Sequence, residues 1–348
     1  MAVWMHGSTV EGVPAGELPG SMLSVEDPAV RLRFASVLAL LVAFTAVVAA
    51  CGGATTTSDP YQVLSSSMKA PIDPVQVNIG FDFKDGATTV AIDPSALAFV
   101  ANKAAGTAAV HVSIPAAALG SNAGALAQFG ITGSTIDLDV VYDGKAAYGR
   151  SPIFGTLLTM ILQPSGDLPS GDLAGWLQLV TVEDLKGLAG PTAGSGDVPS
   201  FAVPSAGDGP ALKTALEDAG ITLKLAGTEQ RSGADAYHLT VAIDSTKLLA
   251  NKAFDSVSRA QLDQMATALK AVTLSGEVWV DKASNHVVEV DVHAVSTADS
   301  KQSGNITVKI GSPDGSVSTD APTSFVVVPF KSIVTNVMSL IGQGITGG

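Results

Sequence analysis

From Val75 the chain alternates apolar and polar residues: Val75, Val77, Ile79, Phe81 and Phe83 interleave with Gln76, Asn78, Gly80, Asp82 and Lys84. Successive side chains of a strand point to opposite faces, so this period of two predicts a strand with one dry and one wet side. Asp85-Gly86 predicts a hairpin turn into a second strand over Thr88 to Ile92. The alternation returns at Val110, Val112 and Ile114, at Ile136, Leu138, Val140 and Tyr142, and, after the turn Asp143-Gly144, at Ala146 to Tyr148. It recurs at Ile221, Leu223 and Leu225, at Tyr237, Leu239, Val241 and Ile243, at Val288, Val290 and Val292, and at Ile306, Val308 and Ile310. Turn pairs such as Ser232-Gly233, Ser284-Asn285 and Asp314-Gly315 separate these runs. The expected product is a large antiparallel sheet, wet on one face.

Other stretches carry a helical period. Pro60 to Ala70 fits a short helix, with Asp59 as N-cap and Leu64 and Met68 four apart. Pro152 to Leu162 is nearly all apolar, with Ile153, Phe154, Leu157, Leu158, Met160, Ile161 and Leu162, so as a helix it is either buried or faces a ligand. Asp172 to Leu188, with Trp176, Leu177 and Leu179, is expected to be helical too. Asp208 is placed to cap a helix from Pro210 to Gly220, and Ser258 and Gln261 have capping-box spacing ahead of Leu262, Met265, Ala266 and Leu269. Phe330, Ile333, Val334, Val337 and Ile341 predict a C-terminal amphipathic helix within 325–348 that docks on the body, the alternative being membrane or partner contact.

The N-terminal region has a different logic. Arg31 and Arg33 precede Phe34 to Ala50, a run without charge that ends in small residues, which is the layout of a signal peptide over 1–50. Residues 1 to 21 are acidic and contain Pro14 and Pro19, so Met22 is a candidate true start. Val48-Ala49-Ala50-Cys51 resembles a bacterial lipobox, whose cysteine is diacylated. Cys51 is the only cysteine and cannot form an internal disulfide. An uncleaved membrane helix is the alternative, but 17 apolar residues from Phe34 to Ala50 sit at the short limit of the roughly 17–25 that a bilayer span needs. Two acyl chains would anchor the chain stably. Residues 51–59 are small and polar and form a tether; 192–209, rich in Gly, Ser, Pro and Asp, form a loop insertion in a body spanning 60–324.

Composition narrows the partners. Removing residues 1–50 takes Arg31, Arg33 and four acids from a chain of formal charge −13, leaving about −11. An acidic surface without a Lys/Arg cluster argues against nucleic acid and against attraction to anionic lipid. The anchor would hold the chain at a membrane.

Catalytic signatures are lacking: there is no G-x-S-x-G, phosphate-binding glycine loop or H-E-x-x-H. The chain is therefore expected not to be an enzyme and to need no cofactor. Glu289, Asp291 and His293 lie on one face of one strand, where a solvated face explains them as well as a metal would. Asp137, Asp139 and Asp143 form an acidic row along a straight strand, unable to wrap an ion as a loop does. No metal is expected, and His111 and His238 are expected to be exposed. What remains is surplus apolar surface. A curved sheet that does not close, covered by apolar helices, leaves a cleft suited to an acyl chain, with Val77, Ile79, Phe81, Val112, Ile136, Leu138, Val140, Phe154, Leu157, Leu158, Ile161, Trp176, Leu239 and Val241 as candidate lining.

Three stretches carry a resemblance: T-I-D-L-D-V-V-Y-D-G-K-A-A-Y (135–148), G-T-E-Q-R-S-G-A-D-A-Y-H-L-T-V-A-I-D (227–244) and L-S-G-E-V-W-V-D-K-A-S-N-H-V-V-E-V-D-V (274–292). They resemble the LppX/LprG-type cell-envelope lipoproteins, which belong with the LolA-like half-barrel carriers. The resemblance implies an α+β fold: a strongly curved antiparallel sheet with helices on its concave face, enclosing a cavity for the acyl chains of a lipid or glycolipid. It implies a membrane-anchored extracytoplasmic lipoprotein that carries or presents that lipid, with an envelope transport partner; the alternative is a non-transporting sensor or scaffold. It supplies no catalytic residues. The loop 192–209 and the helix after Pro329 depart from the pattern.

Overall fold

A computed structural model describes residues 58–69, 72–86, 88–118, 133–189, 208–251 and 259–346. The predicted signal peptide, Cys51 and nearly all of the tether and of the loop insertion lie outside them. The elements in order are α1 (Pro60–Ser67), β1 (Val75–Asp85), β2 (Thr88–Ile92), β3 (Leu97–Asn102), β4 (Thr107–Pro115), β5 (Thr135–Tyr142), β6 (Ala146–Arg150) and α2 (Pro152–Leu162). There follow β7 (Leu177–Thr181), α3 (Val182–Ala189), α4 (Gly209–Asp218), β8 (Ile221–Arg231), β9 (Ala234–Ile243), α5 (Ser245–Leu249) and α6 (Arg259–Lys270). The chain ends with β10 (Val272–Asp281), β11 (Val287–Ser296), β12 (Gln302–Gly311), β13 (Val326–Val327) and α7 (Phe330–Thr346).

All strands join one sheet in the order β13-β7-β6-β5-β4-β3-β1-β12-β11-β10-β9-β8, with β2 paired to β1. Among the described residues every pairing is antiparallel except the short β13–β7 contact, and the two ends of the path do not meet. The turn residues act as their chemistry requires. Ser232 and Gly233 have φ of 52° and 83°, the left-handed pair of a tight hairpin, and Asn285 has φ 56°. Bulges at Leu225/Gly227, Ala147/Tyr148 and Trp279/Val280 bend the strands that carry them.

Two cores form on the same apolar face. The larger packs Tyr61, Val63 and Leu64 of α1 and Leu212 of α4 against Leu223, Leu239, Val241, Val278, Val290 and Val308 of β8–β12. The Tyr61 hydroxyl accepts a hydrogen bond from the Leu223 N–H and donates to Glu217, tying α1 to β8 and to α4. The smaller core, at the other end, gathers Leu158 and Leu162 of α2, Leu177 of β7 and Val328, with Ile333 of α7 packed against it. A Cβ on Gly149 of β6 would stand 2.7 Å from both Phe154 and Leu179, so its missing side chain lets α2 close on the sheet. Asn336 of α7 donates to the Ile161 carbonyl and to Ser165, each at 3.0 Å, and so α7 docks on α2.

The expected helix over Asp172 to Leu188 is half strand. Leu177 to Thr181 pair with β6, and the helix begins only at Val182. The boundary is a reciprocal cap: Asp184 accepts from the N–H and hydroxyl of Thr181, whose Oγ1 accepts from the Asp184 N–H.

Between β12 and β13 the chain crosses the opposite face of the sheet as a strap. It leaves beside β1, where Gln76 accepts from the Asp314 N–H and donates to Ser316. It arrives at the far edge with Phe325 edge-on to Tyr148 of β6 at 5.0 Å. Between these points Val100, Ala109 and Val141 face the strap's side and are buried, although that face is otherwise polar.

Candidate functional site

Register places the candidate lining in the middle of the sheet. Val77 of β1 pairs with Phe99 of β3, Phe99 with Val110 of β4, and Val110 with Val140 of β5. One step along, Leu97, Val112 and Leu138 form a parallel row, and Ile114 faces Ile136. Val77, Ile79, Phe81, Val112, Ile136, Leu138 and Val140 are all only half-buried. Phe99, a residue that the alternation pattern did not single out, is 40% exposed. An apolar band thus runs across the sheet from the margin of the large core, where Val77 and Ile79 pack, toward the small one, on the face that both cover.

The other candidates divide. Leu239 and Val241 are seated in the large core, 0% and 3% exposed, where the chain's own helices fill the space. Leu158 is buried in the small core, with Phe154 and Ile161 half-buried against it. Leu157 and Trp176 are half-buried, and the Arg150 guanidinium lies over the Trp176 ring at 5.0 Å. A groove of about 280 Å³ lined by Gln76, Asn78, Lys309 and Asp314 opens on the polar face, away from the band.

The acidic row on β5 is consumed locally. Asp139 is held by His111 at 2.7 Å and by two bonds from Arg150, Asp137 accepts from Ser113 and Thr135, and Asp143 caps its own turn through the N–H groups of Lys145 and Ala146. Burial pushes the Asp139 carboxyl up, but the hydrogen bonds from His111 and Arg150 outweigh it and hold the group below the usual carboxylate range. A depressed folded-state pKa contributes stability above the unfolded value and loses it as pH falls through the folded one. Asp139→Asn is expected to cost about 1–2 kcal/mol at neutral pH. The gap to wild type should close in acid; thermal melts of both proteins between pH 7 and pH 2 measure it, and a pH-independent gap would assign the loss to packing.

His238 is not exposed as expected. Its side chain is 19% accessible and stacks on Trp279 at 4.9 Å, because β9 and β10 set the two rings side by side. The triad Glu289, Asp291 and His293 is also divided. Arg231 takes Glu289 at 2.7 Å and Asp291 at 3.2 Å, whereas His293 turns to Glu277 of β10, 3.7 Å away. Glu277, Asp291 and His293 each bring a ligand-type atom within 4.8 Å of the others.

No protein-family model and no curated protein match this chain. Solved structures do. LprF from Mycobacterium bovis matches at 11% identity over 78% of this chain and 100% of its own, with a TM-score of 0.34. The lipoprotein LppX of Mycobacterium tuberculosis matches at 11% identity over 70% and 89%, with a TM-score of 0.27. A LolA superfamily protein from Nitrosomonas europaea matches at 10% identity over 75% and 95%, with a TM-score of 0.21. The strand order itself shows an α+β fold: an open, mostly antiparallel sheet with helices on its apolar face.

Proposed function

We propose that the chain is a lipid-anchored, extracytoplasmic carrier that binds the acyl chains of a lipid or glycolipid and carries or presents it within the cell envelope. The observation that supports this is the apolar band: Phe81, Val112, Ile136, Leu138 and Val140, all half-buried, and the exposed Phe99 of β3 lie outside both helical cores, with Val77 and Ile79 at the margin of the larger one. Each methylene moved from water to such a surface is worth about 0.8 kcal/mol, so an acyl chain binds through length without polar specificity. Diacylation at Cys51 would tether the body to the membrane. Among the described residues no helix is long and apolar enough to cross one. The role is binding, not catalysis, and release would need an envelope transport partner or movement of the helices.

Native mass spectrometry of the chain lacking residues 1–51, purified without detergent, should show a lipid adduct. Protein that is uniformly empty, and that does not take up a labelled lipid, sinks the reading. A non-transporting sensor or scaffold is the second reading. It is favoured by the part of the apolar face over β8–β11, which the chain fills with its own helices.

A further inference from the structure

On the polar face, antiparallel pairing sets Glu277 of β10 directly opposite Asp291 of β11. Like charges at such a position repel, and a sheet keeps them only where something positive lies between. Arg231 fills that role for Asp291 but forms no ion pair with Glu277. Its guanidinium binds Glu289 and the Oδ2 of Asp291, and stacks 4.1 Å over Trp279. Glu277 has two imidazoles beside it instead: His238 Nε2 stands 3.5 Å from Oε1, and His293 Nε2 stands 3.7 Å from Oε2.

Two atoms of this group are anomalous. The Oδ1 of Asp291, whose residue is only 7% exposed, and the Nε2 of His238 are buried without a hydrogen-bond partner. Such atoms are costly to leave unmatched unless an ion or water completes them. The histidine–glutamate separations of 3.5 and 3.7 Å are too long for hydrogen bonds. They are close to the spacing of about 3.3 Å between ligands held at about 2.0–2.1 Å around a tetrahedral ion.

We propose that Glu277, Asp291 and His293 bind a first-row divalent transition-metal ion, with zinc as the fitting one and His238 beside Glu277 at its edge. One imidazole and two carboxylates, with water in the fourth position, are a nitrogen–oxygen donor set that suits zinc and its neighbours over calcium or magnesium. Four carboxylates, Glu229, Glu277, Glu289 and Asp291, share this patch with Arg231 and with Lys309 opposite Glu289, which leaves it net negative, so a dication lowers the local repulsion. Glu277 and His293 are 35% and 39% accessible, which leaves the ion a route from solvent. The ligands come from two adjacent strands, and so a bound ion would clamp β10 and β11 together. The site lies on the face opposite the apolar band and does not depend on lipid binding.

The test is zinc titration of the chelator-stripped full chain against a chromophoric competitor, with cobalt(II) as the spectroscopic probe. One tight equivalent is expected, together with intense visible cobalt bands of four-coordinate type and a melting point a few degrees higher with zinc. Glu277→Gln and His293→Asn should each weaken zinc at least about tenfold and remove the cobalt spectrum. Without metal, Glu277→Gln should melt no lower than wild type, since it relieves the opposed charges; this separates lost ligation from unfolding. Cys51→Ser and His286→Asn should bind as wild type does. No zinc uptake at micromolar concentration overturns the proposal, as does uptake unchanged in Glu277→Gln and His293→Asn or abolished by Cys51→Ser.

Discussion

Phe99→Glu is expected to empty the protein of lipid while leaving it folded. Phe99 sits in the middle of the apolar band, flanked by Val77 and Val110, and its side chain is substantially open to solvent. A carboxylate there costs the unliganded protein little, because water reaches the site; surface changes of this kind usually stay within about 0.5 kcal/mol. With an acyl chain laid along the band, the same carboxylate must lose water against hydrocarbon, at a cost of several kcal/mol, or displace the chain and forfeit about 0.8 kcal/mol for each methylene uncovered. Occupancy in detergent-free native mass spectra should fall at least about tenfold, which corresponds to 1.4 kcal/mol. Melting points should stay within a few degrees of wild type. Val100→Glu, one residue on and buried on the other face, should instead unfold the protein. If Phe99→Glu carries the same lipid load as wild type, the band is not the binding surface.

That pair of neighbours also shows what the sequence could and could not disclose. The strands found by alternation, β1, β4, β5, β8, β9, β11 and β12, have one face dry and one wet. β3 reads L-A-F-V-A-N and escaped notice, since its polar-face residues Ala98 and Val100 are 4% and 2% exposed on the side the strap crosses, while Phe99 on the apolar side is open. When both faces of a strand are apolar the period of two vanishes. β7 is hidden for a related reason: Leu177 and Leu179 are two apart, Leu179, Val182 and Leu185 three apart, so the strand period runs into the helical one, and the Thr181–Asp184 cap that separates them is not preceded by a break in hydropathy.

The candidate site was legible only as far as single strands carry it. Residues of β1 and β5 were chosen by their phase, and register sets them on one face, but phase cannot tell a side chain under a helix from one beside it. Leu239 and Val241 share the phase of Val140 and Leu138 and differ in lying beneath α1 and α4. The polar cluster failed in the same way. Glu289, Asp291 and His293 are two apart along one strand, whereas the group that converges, Glu277, Asp291 and His293, is drawn from two, and only the β10–β11 register brings Glu277 to Asp291.

Arg231→Met is expected to be the most destabilising loss of a charge on the polar face. Arg231 is a third exposed, but its partners are not: the side chains of Glu289 and Asp291 are 5% and 10% accessible. Burial works to lower the guanidinium's pKa, but the hydrogen bond and charge of Glu289 dominate and hold it above its ordinary value. Removing the cation leaves two carboxylates in a low-dielectric patch that Glu277 and Glu229 already make negative. A deleted partner of a buried pair typically costs about 3–5 kcal/mol; with Arg231 partly solvated, roughly 2–4 kcal/mol is expected. Methionine keeps part of the stem packed on Trp279, so the loss measures charge more than volume. The midpoint of urea unfolding should fall with an unchanged slope, and adding Glu289→Gln to Arg231→Met should recover a large share of the stability. If Arg231→Met costs less than about 0.5 kcal/mol, or Glu289→Gln makes it worse, the carboxylates are satisfied from elsewhere and the guanidinium is a surface ornament on the strand.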